Sequence, residues 1–155
     1  GWLPKWASPG YRGTMPGTFA DVVLADAVLK NISGFDYKAA WGAIHKDAYE
    51  LSPDGAMGKV GLRHYVDLGY VPIDVNVGDA SSRTLDFAYA DAASAQVALR
   101  LGLAEEAAKL QNRSLRALAA LYDSDAHLMG HRMKDGSFLT EPPQQWGDGF
   151  LEGST

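Results

Sequence analysis

Apolar residues recur at helical spacing through most of the chain. The first such stretch runs from Thr18, a suitable N-cap, to Asn31, with Phe19, Val22, Val23, Asp26, Ala27 and Leu29 on the stripe and Gly34 able to end it. Asp36 then caps a second helix reaching Tyr49, with Ala40, Trp41, Ile44 and Ala48 on one face. So few residues join the two that an antiparallel hairpin is expected. A short third helix covers Val60 to Leu68 and is stopped by Gly69 and Pro72. A fourth runs from Ser82 to Leu101, with Leu85, Ala88, Tyr89, Ala92, Ala95 and Leu99 near its buried side. Gly102 sits where a left-handed cap belongs, and a fifth helix spans Ala104 to Tyr122 with Ala107, Leu110, Leu115, Leu118 and Leu121 inward. Only Gly102 and Leu103 separate these long helices, so they too form an antiparallel pair.

The remaining segments follow no such period. The first seventeen residues hold three prolines, four glycines, Trp2, Trp6 and Tyr11, and read as an irregular loop whose tryptophans either plug a core edge or face a ligand. Ser52-Pro-Asp-Gly55 is a turn signal within the loop from Leu51 to Lys59. Between His127 and Leu139, Lys134-Asp135-Gly136 marks a hairpin turn between two short β-like segments, and the tail from Thr140 is loop. The expected fold is all-α: helical hairpins with tight turns at one end and long aromatic, glycine-rich loops forming a site at the other, plus a short β-hairpin near the C-terminus. No period of a helical repeat array is present, and a toroid of paired helices accounts for the asymmetry of the connections.

Several polar groups have ordinary structural readings. Asp21 and Asp26 are about 140° apart around their helix axis. Asp21 suits an exposed first turn, while Asp26 lies near the apolar stripe and is expected to hydrogen-bond a neighbouring loop. Asp91, within an alanine-rich face, needs a partner that Arg83 or a loop amide could supply. His127 and His131 are spaced as a helical metal pair, but Gly130 and the hairpin context spoil that geometry, so neither is assigned as a ligand. His45 and His64 are read as structural. Gly55-Ala-Met-Gly58 lacks the context and lysine of a phosphate loop.

Composition removes further classes. Hydrophobic residues make up 46% of 155 and charged residues 21%, enough for one domain with a core. The net charge of −5, with no basic cluster, argues against nucleic acid. There is no cysteine for a disulfide or thiolate metal site, and no apolar run long enough for a membrane span. The chain opens Gly1-Trp-Leu-Pro4 without an initiator methionine, which is expected of a piece of a longer protein.

One carboxylate stands apart. Glu152 lies in Trp146-Gly-Asp-Gly-Phe-Leu-Glu-Gly-Ser-Thr155, among aromatic and glycine residues. Apolar surroundings disfavour the charged form of a carboxyl and raise its pKa, which suits a general acid beside a sugar; on local sequence alone the other reading is a solvated glutamate near a frayed terminus.

Five stretches, taken in order, resemble glycoside hydrolase family 92, the calcium-dependent exo-acting α-mannosidases. They are Gly1-Trp-Leu-Pro-Lys-Trp6; Met15-Pro-Gly-Thr-Phe-Ala-Asp-Val-Val-Leu-Ala-Asp-Ala-Val-Leu-Lys30 with Gly34-Phe-Asp36; Tyr65-Val-Asp-Leu-Gly-Tyr-Val-Pro72; Ser82-Arg-Thr-Leu-Asp-Phe-Ala-Tyr-Ala-Asp91; and Asp135-Gly-Ser-Phe138 through Trp146-Gly147 to Glu152-Gly153. The resemblance implies that residues 1–155 form part of an (α/α)6 toroid, a catalytic domain incomplete at both ends. It implies inverting, Ca²⁺-dependent hydrolysis of terminal α-mannose, with Glu152 as the general acid. Trp6 and Trp146 are the candidates for stacking on sugar faces. The expected partners are a mannose-containing glycan and the rest of the parent chain, and the expected location is secreted or periplasmic. The chain departs from the family in ending Ser154-Thr155 after Glu152-Gly153, in Phe19 where many members are polar, and in Ala92 where a bulkier residue is common. The base aspartates and the calcium ligands are expected outside this segment, so residues 1–155 alone are expected to be inactive. The alternatives are a non-catalytic carbohydrate-binding module and a helical interaction module that binds peptides.

Overall fold

The computed structural model describes residues 1–5, 15–53, 55–140 and 149–151. Among these residues the fold is five helices and one small antiparallel sheet. The elements are α1 (Phe19–Leu29), α2 (Tyr37–Tyr49), α3 (Leu62–Leu68), α4 (Ala80–Arg100), α5 (Ala104–Leu121), β1 (Tyr122–Asp123) and β2 (Leu128–Met129). The expected helices are all present. Trp6, Trp146 and Glu152 lie outside the described residues, as does most of the proline- and glycine-rich chain on either side of them.

Local chemistry sets the helix ends. The Asp36 carboxylate accepts hydrogen bonds from Lys38 N and Ala39 N at 2.8 and 3.2 Å, satisfying two amides that α2 leaves free. Gly61 and Gly69 bracket α3 at φ +90° and +91°, and the Gly69 amide closes on the Tyr65 carbonyl. The first of these delays α3 to Leu62, two residues after the expected start. α4 begins at Ala80 rather than Ser82, entered from Asp79 in the left-handed region. Thr18 stands at the N-cap of α1, but its side chain makes no capping hydrogen bond.

α4 is the central element. It packs along α5, from which Leu101, Gly102 and Leu103 separate it, and along α1. The expected α1–α2 hairpin is a looser contact than the α1–α4 packing. Three apolar clusters fill the interior. Leu62, Tyr65, Val71, Phe87 and Ala117 form one; Ala25, Val28, Ile44 and Val97 another; Ala48, Ala95 and Leu110 the third.

The inward face of α1 differs from the sequence expectation. Asp21, Ala25 and Val28 are buried, whereas Val23 is 67% exposed and Leu29 48%. The helix is apolar on nearly every side, so spacing alone cannot select its face. The two acids exchange roles: Asp21 is buried, and Asp26 is a surface residue paired with Lys30 at 2.8 Å. Along α4 and α5, Tyr89, Leu99 and Leu115 likewise turn outward, and Phe87, Val97 and Ala117 lie inside.

After α5 the chain forms a hairpin absent from the sequence reading, pairing Tyr122 with Met129 and Asp123 with Leu128. Its turn is closed by Asp123, whose carboxylate accepts from Asp125 N and Ala126 N. The expected turn at Lys134-Asp135-Gly136 is present, but its flanks make a single antiparallel bridge, Arg132 with Phe138.

Candidate functional site

Two described segments adjoin the candidate residues: Gly149–Leu151, held on the first turn of α4, and Lys5, within electrostatic reach of Arg83 in that turn. The first turn of an α-helix has amides with no partner inside the helix and carries the positive end of its dipole. Here the Ser81 and Ser82 amides both donate to the Gly149 carbonyl, each at 3.0 Å. The Ser82 hydroxyl accepts from Leu151 N at 2.9 Å. Ser81 Oγ lies 2.9 Å from His131 Nδ1, and the His131 ring packs against Phe150 with centroids 4.7 Å apart. Gly149 fits only because it lacks a side chain: a Cβ there would collide with His131 Nδ1 and stand 2.9 Å from Ser81 Oγ. Leu151, held in this way, is the residue before Glu152 in the chain.

Lys5, the residue before Trp6, is buried and donates from Nζ to the Ala56 carbonyl at 3.5 Å. Burial, with the Arg83 guanidinium as second cause, lowers its pKa to about 8. Arg83 belongs to the first turn of α4. On the next turn, burial raises the Asp86 carboxyl to about 6, against the opposing pull of Arg83. Gly17, at φ +88°, lets the chain pass Asp86; an added Cβ would lie 3.1 Å from Asp86 Oδ2 and 2.6 Å from the Phe19 ring. A carboxyl near 6 is in the range of acid–base work, although Asp86 is not among the candidates legible in the sequence. Its signal would have been its place one turn after Arg83, facing a glycine-rich loop.

Behind this rim lies a buried charge cluster. Lys59 Nζ is 3.6 Å from Asp21 Oδ2 and 3.4 Å from Asp91 Oδ1, with all three side chains inaccessible to solvent. Asp91 also receives both arms of Arg113, at 2.6 and 2.8 Å, and the Tyr65 hydroxyl at 2.8 Å. These are the partners of Asp91, in place of Arg83 or a loop amide. Burial pushes Asp21 upward despite Lys59, and pushes Asp47 on α2 to about 7, with the charge of Asp21 as the second cause. Removing one member of a buried ion pair typically costs about 3–5 kcal/mol, because the remaining charge is left without compensation. The cluster ties α1, α4, α5 and the loop before α3 to one another beneath the rim.

The histidines of the His127/His131 pair do separate things. His127 is exposed on the β1–β2 turn at φ 57°, and His131 is buried against Ser81 and Phe150. Among the described residues there is no group of three histidine, cysteine, aspartate or glutamate side chains that could hold a metal ion. The buried aspartates instead face Lys59, a cation the protein itself supplies. The described residues therefore do not fit calcium, and no chemical step is assigned through a metal here.

An open groove of about 520 Å³ lies beside the site, lined by Leu3, Pro4, Lys5, Phe19, Ala20, Val23 and Leu24. Among the described residues its walls are almost wholly apolar, without the set of hydrogen-bonding groups that holds a sugar, and they suit contact with another apolar surface.

A helical scaffold with a loop-built site at one end of its central helix is the class of protein these features define. Over residues 1–155 the sequence matches the catalytic domain of glycosyl hydrolase family 92, and the chain belongs to that family. The inverting mannosidase BT2199 of this family, from Bacteroides thetaiotaomicron, is similar over 99% of this chain, with 32% identity and a TM-score of 0.90. The family 92 α-mannosidase BT3965 of the same organism, solved in complex with mannoimidazole, is similar over 99% of the chain, with 33% identity and a TM-score of 0.85. An uncharacterized secreted glycosidase of Arthroderma benhamiae is 37% identical over 101 residues, or 59% of this chain. The chain spans 21% and 20% of the two solved relatives and 13% of the fungal one.

Proposed function

We propose that these residues are part of an exo-acting α-mannosidase that removes terminal α-linked mannose from glycans with inversion, and that Glu152 is its general acid. In the complete protein the helical pairs form part of an (α/α)6 toroid. The observation that carries the reading is the anchoring of Gly149–Leu151 on the first turn of α4. A general acid must meet the glycosidic oxygen within hydrogen-bond reach, so the backbone leading to it has to be fixed. The described contacts fix that backbone up to the residue before Glu152.

In the proposed reaction the Glu152 proton passes to the glycosidic oxygen as its bond to the anomeric carbon breaks. A second carboxylate, outside residues 1–155, takes a proton from the water attacking the opposite face. Inverting enzymes place the two carboxyls roughly 6.5–9.5 Å apart to admit that water. Trp6 and Trp146 are proposed to stack on sugar faces in the subsites. Calcium, a hard cation suited to sugar hydroxyls, is proposed to be held by residues elsewhere in the complete protein. A secreted or periplasmic location is proposed from the family resemblance, and the name of the fungal relative supports secretion; no helix of the described residues is long and apolar enough to cross a membrane. Residues 1–155 alone contain no assigned base and are proposed to be inactive.

The deciding experiment is Glu152→Gln in the full-length chain, assayed on phenyl α-mannoside with isothermal titration of mannose alongside. Turnover should drop on the order of 10²–10⁴-fold, the usual contribution of a general acid, while mannose binding persists. Unchanged turnover would remove Glu152 from the mechanism. Mannose binding with no turnover by the unmutated protein would leave a carbohydrate-binding module as the better account.

A further inference from the structure

We propose that His131 is a positioning residue for the acid: together with Ser81 and Ser82 it fixes the backbone of Gly149–Leu151, so that Glu152 leaves the clamp from one defined position. This rests on the reading of Glu152 as the general acid.

Four contacts make the clamp, and His131 takes part in or backs three of them. Its Nδ1 meets Ser81 Oγ at 2.9 Å, and the Ser81 amide donates to the Gly149 carbonyl at 3.0 Å. Its ring packs on Phe150 at 4.7 Å, tilted by 42°. It fills the space that any side chain at position 149 would need. The Ser82 hydroxyl then receives the Leu151 amide at 2.9 Å. The three residues before Glu152 are thus each tied to α4 or His131.

His131 is itself held firmly enough to serve. It is 4% exposed, and its carbonyl accepts from Leu139 N at 2.8 Å. On either side, Gly130 N donates to the Leu121 carbonyl and the Arg132 carbonyl accepts from Ile73 N. The imidazole therefore transmits the position of α5 and of the loop before α4 to the acid-bearing segment. An exposed or core-filling histidine would have no reason to touch both a helix-start serine and the ring two residues before the acid.

A positioning role has a signature that loss of fold does not imitate. Protonation by the acid matters in proportion to the basicity of the leaving group. A dinitrophenolate departs with little help, whereas a phenolate or methoxide needs the proton. His131→Ala, His131→Asn and Ser82→Ala in the full-length chain are therefore assayed on 2,4-dinitrophenyl, phenyl and methyl α-mannosides, with thermal melting as the control for folding. His131→Ala should lose on the order of 10²-fold in kcat on the methyl and phenyl substrates, the scale expected for a displacement of about 1 Å. It should lose less than about fivefold on the dinitrophenyl substrate, with KM little changed on all three. Asn, which can still meet Ser81, should restore part of the loss, and Ser82→Ala should show the same pattern more weakly.

An equal loss on all leaving groups, or none, would overturn the proposal. Should His131→Ala fail to fold, Ser82→Ala decides: no dependence on the leaving group overturns it, and dependence supports it. Glu152→Gln on the same substrates separates the two readings. If it shows the dependence while the His131 and Ser82 variants do not, only the positioning role falls. If it does not, both fall together.

Discussion

Asp47 shows how far one residue's chemistry depends on neighbours distant in sequence. On α2 it follows the inward face, yet nothing adjacent to it in the chain foretells that its carboxyl lies near Asp21 and Lys59. Burial first, and the Asp21 charge second, raise its pKa from 3.8 to about 7. The folded protein therefore keeps a proton that the unfolded chain releases between about pH 4 and pH 7. Its contribution to stability is full below the unfolded pKa and declines as pH rises through the folded one. Asp21 is shifted in the same direction, so part of the slope belongs to it. Asp47→Asn, which carries no charge to bury, should gain stability relative to the unmutated chain as pH rises from about 5 to about 8. Urea midpoints at the two pH values check this; a constant difference between the proteins would show that Asp47 does not hold the proton. Asp26 and Asp21 make the same point in reverse, since an almost uniformly apolar helix gave no period by which to tell the buried acid from the exposed one.

At the level of elements, local signals were the readable ones. Asp36 at the start of α2, Gly69 after α3 and Gly102 between α4 and α5 act within one turn of themselves, and all lie where the sequence puts them. The Asp36 cap has a measurable share in stability. Asp36→Ala leaves the Lys38 and Ala39 amides to water and should cost about 1 kcal/mol, read as a lower thermal midpoint with unchanged helix content away from the α2 start. No change in the midpoint would mean that packing of Ile44 and Ala48 alone holds this end. The hairpin of Tyr122–Asp123 with Leu128–Met129 was not legible, because two-residue strands give no alternation to detect. The late start of α3 came from Gly61 taking a left-handed conformation, at a position where an added Cβ would also lie 3.1 Å from Val71.

Across the whole molecule, the groove beside Leu3, Phe19 and Val23 leaves apolar surface in contact with solvent. Residues 1–155 expressed alone should self-associate with rising concentration, seen by sedimentation velocity. Val23→Asp should shift that equilibrium toward monomer with little change in melting temperature, because Val23 is already 67% exposed. Association undiminished by this substitution would place the contact on another face. The same preparation should not hydrolyse phenyl α-mannoside, since the proposed base lies outside it.

The sequence by itself determined which segments are helices, where most of them end, and the family to which the chain belongs. Those properties depend on neighbours within a turn or two, or on motifs read in order. The burial of Asp21 with Lys59, the full set of partners around Asp91, and the meeting of His131 with Ser81 and Gly149 were decided only by the tertiary structure. Each joins residues from separate elements, His131 to Ser81 across 50 positions, and periodicity along one element has no information about what packs against it. A buried charge is tolerated when its counter-charge arrives from elsewhere in the fold, and only the packed chain brings the two together.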